Sequence, residues 1–204
     1  MASKTLRDTL VNEVKDMYSA EKQLTKALPK LAKAANSDEL RTALENHLEE
    51  TRNQVSKLEG VFELLDETVR GKHCAGMAGI IEEGSDLLEE DFEDAVMDAC
   101  IIAAAQKSEH YEITSYGTMI AWAEALELTE VAGILNEILE EEKAADEKLS
   151  ALAESGINEA ATAGESDEEE ETPGRKKESA RMSGSGSKNN GANGAARSAK
   201  RARK

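Results

Sequence analysis

Apolar side chains recur along most of this chain in a three-four alternation, the spacing that lines one face of an α-helix. The first run reads Leu10, Val14, Met17, Leu24, Leu28 and Leu31 and predicts a helix over about residues 4–34. Pro29 falls inside it, removes a backbone hydrogen bond, and predicts a bend in the last turn or two. Asn36 and Ser37 are cap-type residues, with Glu39 three beyond Asn36, so a second helix starts after a very short turn. It carries Leu40, Leu44, Leu48, Val55, Leu58, Phe62 and Leu65 on one face and is expected to run until Gly71. So short a turn makes the two helices an antiparallel hairpin.

The stretch 72–92 differs. Gly76, Gly79 and Gly84 interrupt a shorter pattern of Met77, Ile80, Ile81, Leu87 and Leu88, which reads as a crossover carrying a short helix. A third long helix is expected over about 93–126, with Ile102, Ala105, Tyr116, Met119, Ala123 and Leu126 inward. Thr129 is cap-type, and a fourth helix over about 130–155 presents Val131, Leu135, Ile138, Ala145, Leu149 and Leu152 before Gly156 stops it. The expected fold is all-α: a four-helix bundle of two antiparallel hairpins with one long crossover, over residues 1–156. Residues 157–204 turn Glu-rich and then Gly/Ser/Asn/Lys/Arg-rich, with Met182 as the one large apolar side chain in the basic part, and are expected to be a disordered tail.

Composition sharpens this. No proline occurs between Pro29 and Pro173, and strong helix formers fill the interval. No window is apolar enough to span a bilayer and the first residues lack a secretory pattern. Cys74 and Cys100 match neither a zinc nor a disulfide framework, so a reducing, cytoplasmic setting is expected. The net charge of −17 is unevenly spread: residues 172–204 hold ten Lys/Arg against one Glu, leaving −26 on residues 1–171. A body this acidic repels nucleic acid and attracts cations, while the tail has the opposite sign.

The chemistry lies where carboxylates break the apolar stripes. In the first helix the series 10, 14, 17, 21, 24, 28, 31 is regular, and its middle member is Glu21. Glu142 sits between Ile138 and Ala145, with Asp146 one turn on. Glu109 and Glu112 share the face of Ala105 and Tyr116, and His47, Glu50 and Gln54 flank the stripe of the second helix. Desolvation and like charge oppose ionisation of so many carboxylates in an empty core. A pair of divalent cations resolves the conflict, since bridging carboxylates hold two metals roughly 3.5–4 Å apart, and oxygen-rich sites with some nitrogen suit iron or manganese. His47 and His110, taken singly, read as polar residues at helix interfaces, and the tyrosines as packing at the core edge.

The strings DMYSAEKQLTKALPKLA, ENHLEETRNQVSKLEGVFELL, CAGMAGIIEEG, AAAQKSEHYEITSYGTMIAWAEAL and ILNEILEEEKAADEKLSALA occur in order over roughly residues 4–155. Together they resemble the YciE/YciF family of bacterial stress-associated, ferritin-like (rubrerythrin-like) proteins. The resemblance implies a dinuclear metal centre, with iron foremost and manganese as the variant. It carries metal-ligand roles onto Glu21, Glu50, Glu109, Glu112 and Glu142. Centres of this type usually place a His three residues after the second and fourth Glu; here those positions are Asn53 and Ala145. Gln54 and Asp146, one turn after their Glu, are the expected substitutes, with His47 and His110 as additional or supporting groups.

The expected function is therefore oxidation of Fe²⁺, or cycling of manganese, by dioxygen or peroxide in stress protection. A non-enzymatic helical protein acting through oligomer formation is the alternative, and a homodimer is expected from base rates. The tail, through Arg175, Lys176, Lys177 and the terminal KRARK, is a candidate arm for DNA phosphates, or else a solvated polyampholyte balanced by its own acidic run. If it is an arm, deleting residues 172–204 abolishes a salt-dependent gel shift of duplex DNA; an unchanged shift, or none from the full chain, leaves only the polyampholyte.

Overall fold

The computed structural model describes residues 4–169, and side chains through residue 163. Within that range the regular secondary structure is all helical, with α1 (Leu6–Ala34), α2 (Asp38–Leu64), α3 (Ala75–Leu87), α4 (Asp94–Ala125), α5 (Thr129–Leu152) and α6 (Asn158–Glu169). The basic stretch 172–204 lies outside the described residues. None of the described helices is long and apolar enough to cross a membrane.

Helix α1 starts on a capping box: the Thr5 hydroxyl accepts from the Asp8 backbone N–H while the Asp8 carboxylate accepts from the Thr5 N–H at 2.8 Å. It continues through Pro29 to Ala34, so the chain tolerates the lost hydrogen bond without ending the helix. Ser37 caps α2, accepting from Leu40 N–H at 3.2 Å. Helix α5 begins one residue earlier than its spacing predicts, with Thr129 inside it and Leu128 as the cap.

Four long helices pack as a ring, α1 beside α2, α2 beside α5, α5 beside α4 and α4 beside α1. Leu10, Val14, Met17, Leu24, Leu28, Leu40, Leu44, Leu58, Phe62, Ile101, Tyr116, Met119, Leu135 and Ile138 fill the ring. The two hairpins are joined by one crossover, and side-chain contacts show which way it runs. Arg7, near the start of α1, donates to the Leu65 carbonyl at 2.8 Å, so α2 ends beside the beginning of α1. Asp98, near the start of α4, reaches the α1–α2 turn at the opposite end. The chain must therefore climb the whole bundle between α2 and α4.

That climb explains why α2 stops at Leu64 rather than at the expected Gly71. Residues 65–74 are spent lying along α1: Lys72 N–H donates to the Lys15 carbonyl at 2.9 Å, Cys74 N–H to Ser19 Oγ at 3.2 Å, and Gln23 Nε2 to the Cys74 carbonyl at 3.1 Å. Lys15, Ser19 and Gln23 are one turn apart, so a single edge of α1 satisfies the extended segment. Helix α3 then covers the seam between α1 and α4. It comes so close that a Cβ on Gly76 would lie 2.7 Å from the Tyr111 ring.

Gly156 does not stop the chain. With φ of 137° it makes a kink in a short π-turn, Ala153–Ile157, and α6 resumes from Asn158 and packs against α4. Helical structure thus extends past residue 157, where the sequence predicts disorder.

Asp98 is the strongest long-range fastener. Its buried carboxylate accepts from the backbone N–H groups of Asn36 and Ser37 at 2.7 and 2.8 Å, satisfying two donors at the turn. Replacing it with Ala removes two charge-assisted bonds to part-buried donors, a cost of about 2–4 kcal/mol. For a domain of this size the thermal midpoint should fall by roughly 5–15 °C in calorimetry, with Asp98→Asn losing less.

Candidate metal centre in the bundle

Each long helix sends at least one ionisable group into the middle of the ring. On α1 it is Glu21, on α4 Glu109 and Glu112, and on α5 Glu142; all four are fully buried. Their burial follows from register, because each replaces one member of its helix's apolar stripe, between Met17 and Leu24 on α1 and after Ile138 on α5.

On α2 the inward ionisable residue is His47, not Glu50. The buried series of α2 runs Leu40, Leu44, His47, Thr51, Gln54, Leu58, in strict three-four spacing. Glu50 falls off that series and its side chain is half exposed, with Oε2 3.7 Å from His47 Nδ1. The other face of the imidazole points inward, Nε2 lying 3.2 Å from Glu109 Oε1. One donor atom from each of His47, Glu109, Glu112 and Glu142 lies within 4.8 Å of all the others. This is a buried His/Glu group that could hold a metal ion.

The remaining sequence candidates stand apart from that group. Gln54 is fully buried, its Nε2 donating to Glu141 Oε2 at 3.2 Å while its Oε1 finds no hydrogen-bond partner. Asp146 lies at the α4–α5 edge, accepting from Gln106 Nε2 at 3.0 Å and sitting 3.4 Å from the Nε2 of a largely exposed His110. Asn53, at one position where a second His is usual, is exposed, and Ala145, at the other, lines a cavity. Conversely, Tyr116 does more than pack at the core edge. It is fully buried, and its hydroxyl donates to Glu21 Oε1. Its position one turn after Glu112 on the same stripe is the signal from which this role could be read.

Electrostatics makes the group unusual. Among the described residues no Lys or Arg is buried, so His47 is the one buried group there that can offset these carboxyls. Apart from the His47 contact and one another, the oxygens of Glu109, Glu112 and Glu142 find no hydrogen-bond partner, nor does Glu21 Oε2. Burial is the main cause that raises the pKa of all four carboxyls, Glu21 to about 7 and Glu109 to about 8, with Glu112 and Glu142 pushed well above the ordinary range by burial and the charge of their neighbours. Burial alone would lower the pKa of His47, but Glu50 outside and the charges of Glu142 and Glu21 inside outweigh it, and the pKa is raised. His47, Glu109, Glu112 and Glu142, buried and short of positive charge, form a group that could hold a metal ion, with Glu21 buried beside Glu112.

Comparison with known proteins agrees with the architecture. A family profile described as Domain of unknown function (DUF892) matches residues 5–162. Protein YciF of Escherichia coli (strain K12) is 45% identical over 159 residues, covering 78% of this chain and 96% of its own. The crystal structure of the E. coli stress protein YciF superposes with a TM-score of 0.74 at 45% identity, over 76% of this chain and 99% of that one. YcfI from Rhodopseudomonas palustris gives 0.71 at 43% identity, over 72% and 94%.

The raised pKa values carry a sign for stability. In the unfolded chain these glutamates lose their protons near 4.5, whereas folded Glu21 and Glu109 hold theirs to about 7 and about 8. Between those limits the unfolded state binds fewer protons, so stability falls as pH rises. Metal-free protein should therefore melt lower at pH 8 than at pH 5.5 in differential scanning calorimetry. Glu112→Gln, neutral throughout, should flatten the slope; a midpoint that climbs across this range would contradict the buried, uncompensated cluster.

Proposed function

The chain belongs to the DUF892 family, that of YciF, and from that premise we propose that it is a dinuclear-metal protein whose ions react with dioxygen or peroxide in protection against stress. Glu21, Glu109, Glu112, Glu142 and His47 hold two divalent cations, iron first and manganese second, inside the four-helix ring. The observation that carries this reading is a charge balance. Four buried carboxylates have no buried Lys or Arg among the described residues to offset them, and two divalent cations supply the matching four positive charges.

Bound iron or manganese supplies the electrons with which peroxide or dioxygen is reduced. The protein's own groups prepare the site. Tyr116 fixes the rotamer of Glu21 through its hydroxyl. His47 lies between an exposed and a buried carboxylate, with Glu50 Oε2 3.7 Å from Nδ1 and Glu109 Oε1 3.2 Å from Nε2, and serves as the nitrogen ligand of the set. Apolar residues, among them Met17, Leu24 and Ile138, flank Glu21 and Glu142 along their helices. Gln54 and Asp146 serve as supports at the edge. With one imidazole and four carboxylates the set is harder than a two-histidine centre, which favours manganese more than iron-specific centres do.

Elemental analysis tests the reading directly. Protein refilled anaerobically with Fe²⁺ or Mn²⁺ should retain about two ions per chain, and a Glu21→Ala, Glu142→Ala double variant should retain none. Loading should also raise the melting midpoint of the wild type alone. Absence of tightly held metal from the wild type would overturn the redox reading and leave a helical protein with a structural role.

A further inference from the structure

A cavity of about 290 Å³ opens between α2 and α5 and is lined by two side chains of the buried group, His47 and Glu109. Its walls are small: Ala43 on α2 faces Ala144 and Ala145 on α5. Any larger residue at 145, one turn from Glu142, would stand in this space. The rim carries Glu50, Asn46 and Lys148, all exposed. A water molecule takes about 30 Å³ of liquid volume, so the space admits a small ion with several waters of its shell.

The polar groups along the cavity form a graded series. Glu50 Oε2 at the rim lies 3.7 Å from His47 Nδ1, and His47 Nε2 lies 3.2 Å from Glu109 Oε1. The His47 ring is nine-tenths buried, yet neither of its nitrogens makes a well-formed hydrogen bond. It is a ligand that no protein group has claimed, set between a solvated carboxylate and a dry one. Lys148 at the same rim acts against cations and makes passage depend on the balance of two opposed surface charges.

We propose that this cavity is the path by which a divalent cation enters the buried cluster, with Glu50 as its first ligand at the surface and His47 as the ligand that hands it to Glu109. The inference rests on the metal reading above and goes beyond it by giving Glu50 a kinetic role. It also assigns a use to the alanine at position 145.

Stopped-flow mixing of metal-free, full-length protein with Co²⁺ separates rate from endpoint through the visible absorption of the bound ion. Ala145→Leu and Ala43→Leu, which plug the cavity from opposite walls, should slow uptake on the order of tenfold or more while the final amount bound stays at the wild-type value. Glu50→Gln should slow uptake several-fold and Lys148→Met should accelerate it, both effects shrinking in high salt as expected of exposed charges. These two sites are exposed, so both variants fold even if a plug does not. Wild-type rates in all four variants would overturn the path while leaving the metal site standing. Slowed peroxide consumption by loaded plug variants, with Co²⁺ uptake unchanged, would make the cavity an oxidant channel and overturn it too. Failure of the wild type to bind Co²⁺ at all would remove the metal reading itself.

Discussion

Four carboxyls and an imidazole share the driest part of this bundle with no cation of the protein's own among the described residues. Much else in the architecture follows from that imbalance. Burying an ionised carboxylate without a partner costs several kcal/mol even after relaxation, so the folded chain must either hold protons there or bind positive charge. The first choice makes stability pH-dependent, and the second makes it metal-dependent. Tyr116, buried to its hydroxyl, supplies Glu21 with one donor but cannot relieve the whole set.

The crossover decides which side of the cluster meets solvent. Residues 65–74 lie along α1 and α3 covers the α1–α4 seam, held tight where Gly76 meets Tyr111. The α2–α5 seam receives no such cover from α3, and there Ala43, Ala144 and Ala145 leave space in front of His47. The asymmetry of a single long connection is thereby written into the site: one flank is sealed by backbone, the other is open and guarded only by the charges of Glu50 and Lys148.

Much of this was legible in one dimension. Each of Glu21, Glu109, Glu112 and Glu142 stands in a regular apolar stripe, and burial follows from periodicity without knowledge of any partner. The stripe has a width, however, and periodicity alone does not measure it. His47 and Glu50 are three residues apart and differ by about 60° around the helix, enough to separate a buried group from a half-exposed one. Gln54, Asp146 and His110 sit at similar angular margins, where the neighbouring helix decides the outcome. The end of α2 at Leu64 was hidden for another reason: the hydrogen bonds that capture residues 65–74 come from Lys15, Ser19 and Gln23, some fifty residues away. Asp98 carried no local signal, since the groups it satisfies lie 61 and 62 positions earlier.

That separation bears on how the chain finds its shape. Hairpin α1–α2 is local in sequence, yet its turn carries two amide donors that Asp98 on α4 accepts from. The tight bend is therefore incomplete until a loop of about sixty residues has closed, at an entropic cost that grows only logarithmically with length. The first hairpin is not an autonomous unit that waits for the second. Formation of the turn, descent of α2, ascent of the crossover and docking of α4 belong to one cooperative event, and the two halves of the bundle gain order together.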